Sequence, residues 1–142
     1  MPLLRKAEAI FTRLLGPNHP TTASVQSQEG VVLTELGELA SAERVLTAAV
    51  ASLDRCTGCT YEMAVAKTNL GLLRIRQKKF DKAGAILGES LVLEEKLSLS
   101  GKSDMATTLR LLAEVRDHER RPDEAARLRQ RASGFVAGPV DR

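Results

Sequence analysis

The chain has 142 residues, of which 43% are hydrophobic and only 3% are aromatic, with no tryptophan. This apolar content excludes a disordered chain, and the low aromatic content favours closely packed aliphatic helices over a β-sandwich. The formal net charge is +3, from 21 basic and 18 acidic residues that are mostly interleaved along the chain. Such mixing disfavours nucleic-acid binding, which requires a clustered basic face.

Residues 2–15 are predicted to form a helix whose apolar residues recur at spacings of 3, 4 and 3: Leu4, Ala7, Phe11 and Leu14. Each of these residues precedes an apolar position of a later helix by 42 residues. The segment therefore looks like the second helix of a helix pair whose first helix is absent. Its apolar residues need cover, which a second copy of the chain could supply, so we expect them to form a self-association surface.

Three predicted pairs of antiparallel helices follow, at residues 22–54, 63–96 and 105–135. Within each pair a first helix, A, and a second helix, B, are separated by a short polar turn. Glycine and proline in the links between pairs end the B helices, and a Thr, Ser or Asp ahead of each A helix could cap it. We expect residues 1–135 to form one domain and residues 136–142 to be a flexible tail.

Small residues recur at one fixed spacing in all three pairs. In each helix pair, a small residue of helix A is followed twelve positions later by an alanine of helix B: Gly30 by Ala42, Gly71 by Ala83, and Ala113 by Ala125. Successive couples are offset by 41 and 42 residues. A fixed period of this size indicates one supersecondary unit stacked on itself, and such arrays generally bind other molecules.

These residues resemble the tetratricopeptide repeat, in which a small residue of helix A is followed twelve positions later by alanine in helix B. The residues that match it further are Leu46 and Ala49 in the first pair and Leu87 and Ser90 in the second, whereas the third departs from it at Arg129. Segment 15–20 and the tripeptide 69–71 are similar to parts of the longer variant, with a period of about 42 residues, found in kinesin light chains and many bacterial proteins. The resemblance implies an all-α, right-handed solenoid of about three and a half repeats and seven helices.

The resemblance also implies a binding surface on the inward side of the A helices, suited to an extended peptide or a partner helix. The inward positions are Ser27, Thr34, Thr68, Asn69, Leu72, Arg76, Arg110 and Glu114. Asn69 could bind a ligand backbone as both donor and acceptor, or it could simply fasten neighbouring helices. Arg76 and Arg110 could hold a carboxylate.

Few residues of this chain suggest chemistry. The pair Cys56 and Cys59 fits structural thiols or a loop disulfide, with a metal shared between chains as the alternative, since no second such pair exists. The tripeptide 101–103 resembles the end of a phosphate-binding loop but lacks the glycine at position 96, which is Lys96. His19 lies in a predicted turn, and His118 lies between the charged residues Asp117 and Glu119, so neither suggests a catalytic site. We therefore predict no catalytic residues, no metal and no cofactor.

No run of residues approaches the roughly 18 apolar residues of a membrane span, and the first residues lack the apolar segment of a signal peptide. A cytoplasmic location is the default, although an upstream signal could be missing because the pattern predicts that the chain begins partway through a repeat. The predicted function is a non-enzymatic protein-interaction module. The alternatives are a self-assembling, homodimeric repeat domain and a regulatory or sensory part of a larger protein.

Overall fold

The computed structural model describes residues 2–97 and 105–137, and these form seven α-helices. The helices are α1 Pro2–Leu15, α2 Pro20–Glu35, α3 Leu39–Asp54, α4 Thr60–Arg76, α5 Phe80–Leu97, α6 Met105–His118 and α7 Pro122–Ala137. Neither of the two described ranges contains a β-strand. The predicted all-α architecture of antiparallel helix pairs is confirmed.

Two A helices begin earlier than their sequence pattern predicts. Helix α2 begins at Pro20, whose missing N–H is not needed in a first turn, and Nδ1 of His19 accepts a hydrogen bond of 3.1 Å from the Thr21 N–H. Helix α4 begins at Thr60 after Cys59, whose side chain makes no capping hydrogen bond. The prediction that Thr, Ser or Asp side chains cap the A helices is therefore wrong for these two. The third link, residues 98–104, lies outside the described residues.

The three turns from helix A to helix B share one backbone geometry. Each contains a residue in the left-handed region, at Gly37 (φ 82°), Lys78 (φ 61°) and Arg120 (φ 61°). In each turn the following residue donates its N–H to a carbonyl five residues earlier, at 2.9 Å from Glu38 to Leu33, 2.8 Å from Lys79 to Arg74 and 2.8 Å from Arg121 to Arg116. The repeat therefore fixes the turns as well as the helices.

Helix contacts follow the order of the chain. Each A helix packs on its own B helix, and each B helix packs on the next A helix. The A helices also contact one another, α2 with α4 and α4 with α6, whereas α3 and α5, and α5 and α7, share no Cα–Cα approach within 8 Å among the described residues. The array therefore curves toward the A helices, as in an α-solenoid. The side chains of the A helices that point away from the B helices lie on its concave side.

The core is aliphatic, and its clusters extend within each pair and from one pair to the next. Leu46 and Leu87 are completely buried, each inserted against a glycine of the preceding helix, Gly30 and Gly71 respectively. In the third pair the equivalent of these leucines is Arg129, which points outward and pairs with Asp117 on α6. Helix α7 ends at Ala137, so it includes the first two residues of the predicted tail, and residues 138–142 lie outside the described residues.

Candidate functional site

On one side of the three A helices, exposed and half-buried side chains form a surface, which we call the inner face. Helical spacing places them on one side of each helix, as at positions 69, 72 and 76 of α4. The inner face consists of Gln28 and Glu35 on α2, Val65, Asn69, Leu72 and Arg76 on α4, and Thr107, Arg110 and Glu114 on α6. Five of the eight predicted binding residues belong to it.

The other three predicted residues lie inside the helix pairs. Ser27, Thr34 and Thr68 are 3%, 1% and 7% exposed. The Thr34 hydroxyl donates to the Gly30 carbonyl at 2.7 Å, and the Thr68 hydroxyl lies 2.6 Å from that of Ser90. Because their hydroxyls have internal partners, Ser27 and Thr34 do not contribute to an exposed surface, and Thr68 contributes only to the lining of a hollow. The expectation that they point inward onto an open face is corrected accordingly.

Asn69 joins two neighbouring A helices. Its Nδ2 donates to the Ser27 hydroxyl at 2.8 Å and lies 3.4 Å from the Ser27 carbonyl oxygen, so α4 is fastened to α2. The fastening role predicted as one alternative for this residue is therefore present. The Asn69 side-chain carbonyl oxygen accepts no hydrogen bond from the described residues, and it remains on the inner face as an acceptor.

A hollow of about 260 Å³ opens on the inner face beside Asn69. Its lining consists mainly of hydrogen-bonding side chains and includes one carboxyl group, that of Glu94. The lining residues are Gln28, Tyr61, Val65, Thr68, Asn69, Glu94 and Thr107. Such a recess offers several hydrogen-bonding groups, beside the apolar Val65, to one polar side chain of a ligand.

The opposite end of the inner face is charged. Arg76 Nη2 lies 3.2 Å from Glu35 Oε1, so the first of the two predicted carboxylate-binding arginines already has a carboxylate partner. Arg110 is exposed and forms no ion pair within the described ranges. On α6, Asp117 accepts a hydrogen bond from Arg129, which lowers the pKa of the Asp117 carboxyl below its ordinary value.

The residues considered from the sequence for catalysis or metal binding form no reactive site among the described residues. Cys56 and Cys59 form a disulfide that joins the end of α3 to the start of α4. Across residues 2–97 and 105–137, no three His, Cys, Asp or Glu side chains come together in a group that could hold a metal ion. The tripeptide 101–103, whose sequence resembles the end of a phosphate-binding loop, lies outside those ranges. None of the described helices is long and apolar enough to cross a lipid bilayer.

Helix α1 presents a second exposed surface. No residue of α1 is buried, and Leu4, Ala7 and Phe11 are half-buried on the side that packs against α2. Four large apolar residues of α1 are exposed, and three of them lie on one side of the helix: Leu3, Ile10 and Leu14, which are 81%, 45% and 67% exposed. Of the four predicted self-association residues, only Leu14 belongs to this stripe, because α2 covers part of the other three. We call Leu3, Ile10 and Leu14 the α1 stripe.

The helix pairs and their inner face define the class of this protein as an all-α solenoid of tetratricopeptide-like repeats. No protein-family model and no curated protein sequence matches the chain. Its structure is similar to the crystal structure of BtubC (BKLC) from P. vanneervenii, with a TM-score of 0.81 and 19% sequence identity. The similarity covers 94% of this chain and 54% of the other, so this chain spans about half the length of that protein. A likeness at this identity supports the fold.

Proposed function

We propose that this protein is a non-enzymatic interaction module that binds a peptide or a partner helix of another protein on its inner face. We further propose that its repeats belong to the longer tetratricopeptide variant, with a period of about 42 residues, to which segment 15–20 is similar. The observation that carries the proposal is the hollow of about 260 Å³ beside Asn69, whose side-chain carbonyl oxygen remains available to a peptide N–H. Solenoids of stacked helix pairs present extended concave surfaces of this kind.

Two regions of the inner face have separate roles in this proposal. The mainly polar hollow receives one side chain of the ligand, and Leu72 adds apolar contact between the hollow and the charged end. Arg110 supplies an exposed guanidinium with no ion-pair partner among the described residues, so it can pair with a ligand carboxylate without breaking an existing bridge. Arg76 serves as a weaker anchor because Glu35 competes for it.

The test is selection of peptides from a random displayed library on the intact chain, followed by affinity measurement with two charge-reversed variants. Arg110→Glu changes an exposed inner-face residue, and Lys82→Glu makes the same charge change on the exposed side of α5. We expect Arg110→Glu to weaken the selected peptides at least about tenfold, which corresponds to about 1.4 kcal/mol. Lys82→Glu should leave their affinity unchanged. Equal effects of the two variants would show that the ligands bind elsewhere.

Self-association is a second candidate, favoured by the exposure of the α1 stripe. An apolar stripe on a helix with no buried residue is a typical contact surface between copies of a chain. Leu14→Asp should convert a dimer to a monomer in light scattering, whereas Ala9→Asp, on another exposed side of α1, should not. A wild-type monomer would rule this candidate out. The regulatory role within a larger protein and the cytoplasmic location stay predictions.

A further inference from the structure

The interface between α1 and α2 differs in chemistry from the two equivalent interfaces. Between α3 and α4, Val50 packs against the core cluster of Leu70. Between α5 and α6, Leu91 packs against the core cluster of Leu112. The residues one repeat earlier, at offsets of 42 and 41, are Glu8 and Glu29. Two carboxyl groups therefore occupy the positions that apolar side chains fill in the rest of the array.

The carboxyl group of Glu29 lies deep in this interface. Glu29 is 4% exposed, its Oε1 lies 3.6 Å from Arg5 Nε, and its buried Oε2 has no hydrogen-bond partner in the described part of the chain. Gln26 Nε2 donates to Glu8 Oε1 at 2.9 Å, but the buried Oε1 of Gln26 also has no partner there. A partly satisfied polar cluster at a buried position stabilises a contact less than an apolar pair does.

Charged groups from two helices act on Glu29. Glu8 and Arg5 face it from α1, and Arg44 acts on it from α3. Helix α4, which also packs on α2, contacts that helix through the uncharged pair Asn69 and Ser27. Its one ion pair with α2 joins Arg76 to Glu35, six residues beyond Glu29 in the sequence, among the described residues. Burial raises the pKa of the Glu29 carboxyl above 4.5, and the neighbouring Glu8 carboxyl raises it further, against the opposing effect of the two arginines.

We infer that α1 is a pH-sensitive docking helix, whose attachment to α2 is controlled by the carboxyl pair Glu8 and Glu29. A proton on Glu29 turns its unpartnered oxygen into a donor and removes one of two like charges from the interface. The docked helix therefore binds a proton more tightly than the undocked helix does. Docking is strongest below pH 4.5 and weakens as the pH rises through the raised pKa of Glu29.

Undocking would change what the protein exposes. Helix α1 has backbone contacts with α2 and with no other described helix, so it can separate without disturbing the three helix pairs. Its separation uncovers the α1 side of α2 together with the apolar side chains of Leu4 and Phe11. The carboxyl pair thus couples ambient pH to the amount of apolar surface at this end of the array.

The test is hydrogen–deuterium exchange of the intact chain between about pH 4 and pH 8, with α1 protection factors compared to those of α4 in the same sample. In the wild type, α1 protection should fall as the pH rises, about tenfold for each unit by which the pKa of Glu29 is raised. Glu29→Leu restores the residue type of positions 70 and 112, so it should make α1 protection high and independent of pH. Glu29→Gln should also abolish the pH dependence while keeping the shape of the side chain.

The matched control is Glu38→Gln, which removes an exposed carboxyl outside the interface and should keep the wild-type pH profile. A wild-type ratio of α1 to α4 protection that does not change with pH would overturn the inference. A pH dependence of α1 protection that persists in Glu29→Gln would also overturn the inference. The Glu29→Gln variant provides this test even if Glu29→Leu fails to fold.

Discussion

Leu46 occupies the space that a side chain on Gly30 would need. A Cβ atom on Gly30 would lie under 3.0 Å from Cγ and both Cδ atoms of Leu46, far inside van der Waals contact. The same relationship joins Gly71 and Leu87, where a Cβ would lie 2.5 Å from Leu87 Cγ. Helix A therefore meets helix B through bare backbone in the first two pairs, and the leucine of helix B supplies the buried apolar volume.

Gly30→Ala should destabilise the protein although alanine is the better helix former. Overpacking costs about 1–3 kcal/mol, against a gain in helix propensity of about 1 kcal/mol. We expect a net loss of about 1 kcal/mol in the free energy of unfolding, measured by urea denaturation. The matched control is Gly88→Ala, where the new Cβ meets nothing within 4 Å, and it should stabilise the protein by up to about 1 kcal/mol. If both variants gain stability, the close approach of α2 and α3 is wrong.

Lys78→Gly should stabilise the protein. Lys78 has a φ of 61°, which costs an L-residue with a side chain roughly 1–2 kcal/mol, and the equivalent residue of the first turn is Gly37. Part of that gain is offset by the greater freedom of glycine in the unfolded chain, so we expect about 0.5–1 kcal/mol in thermal unfolding. The control is Lys79→Gly. Lys79 has no positive φ, so this substitution relieves no strain and should not stabilise the protein. A destabilised Lys78→Gly variant would contradict the turn geometry.

Sequence periodicity was sufficient to predict the helices and their pairing, because apolar spacing and small residues report local and repeated contacts. Periodicity could not place Ser27, Thr34 and Thr68, since a hydroxyl suits both a solvated face and a buried site with a partner. It also could not assign a disulfide to Cys56 and Cys59, whose spacing equally fits free thiols. The unusual chemistry of the first interface, by contrast, is visible in the sequence itself, where Glu29 stands at the position that leucine fills at 70 and 112.

Removal of the disulfide should destabilise the protein moderately. Cys56 and Cys59 are three residues apart, and closing a loop this short restricts the unfolded chain by about 2 kcal/mol or less. The double variant Cys56→Ser, Cys59→Ser should therefore lose about that amount in thermal unfolding under oxidising conditions. Addition of dithiothreitol should shift the wild type to the same value and leave the variant unchanged. A reductant effect of equal size on both proteins would argue against the disulfide as its source.

Glu43 should contribute to stability with a pH dependence opposite to that of Glu29. Gln77 Nε2 donates to Glu43 Oε1 at 2.8 Å, and this bond, reinforced by Arg74, lowers the pKa of Glu43 below 4.5. Its contribution is therefore complete above pH 4.5 and is lost as the pH falls through the lowered pKa. Unfolding temperatures of wild type and Glu43→Gln should differ at neutral pH and converge in acid. Glu38→Gln should show no such convergence.

Within the described ranges, the first and third helix pairs do not contact each other, and both contact the second. Helices α2 and α6 share no Cα–Cα approach within 8 Å among the described residues, while α4 contacts both. A ligand lying along the inner face from Gln28 to Arg110 would bridge them directly and act as a brace across the array. Its binding should therefore convert stepwise opening of neighbouring pairs into unfolding as one unit, with a steeper denaturant transition in the complex than in the free chain.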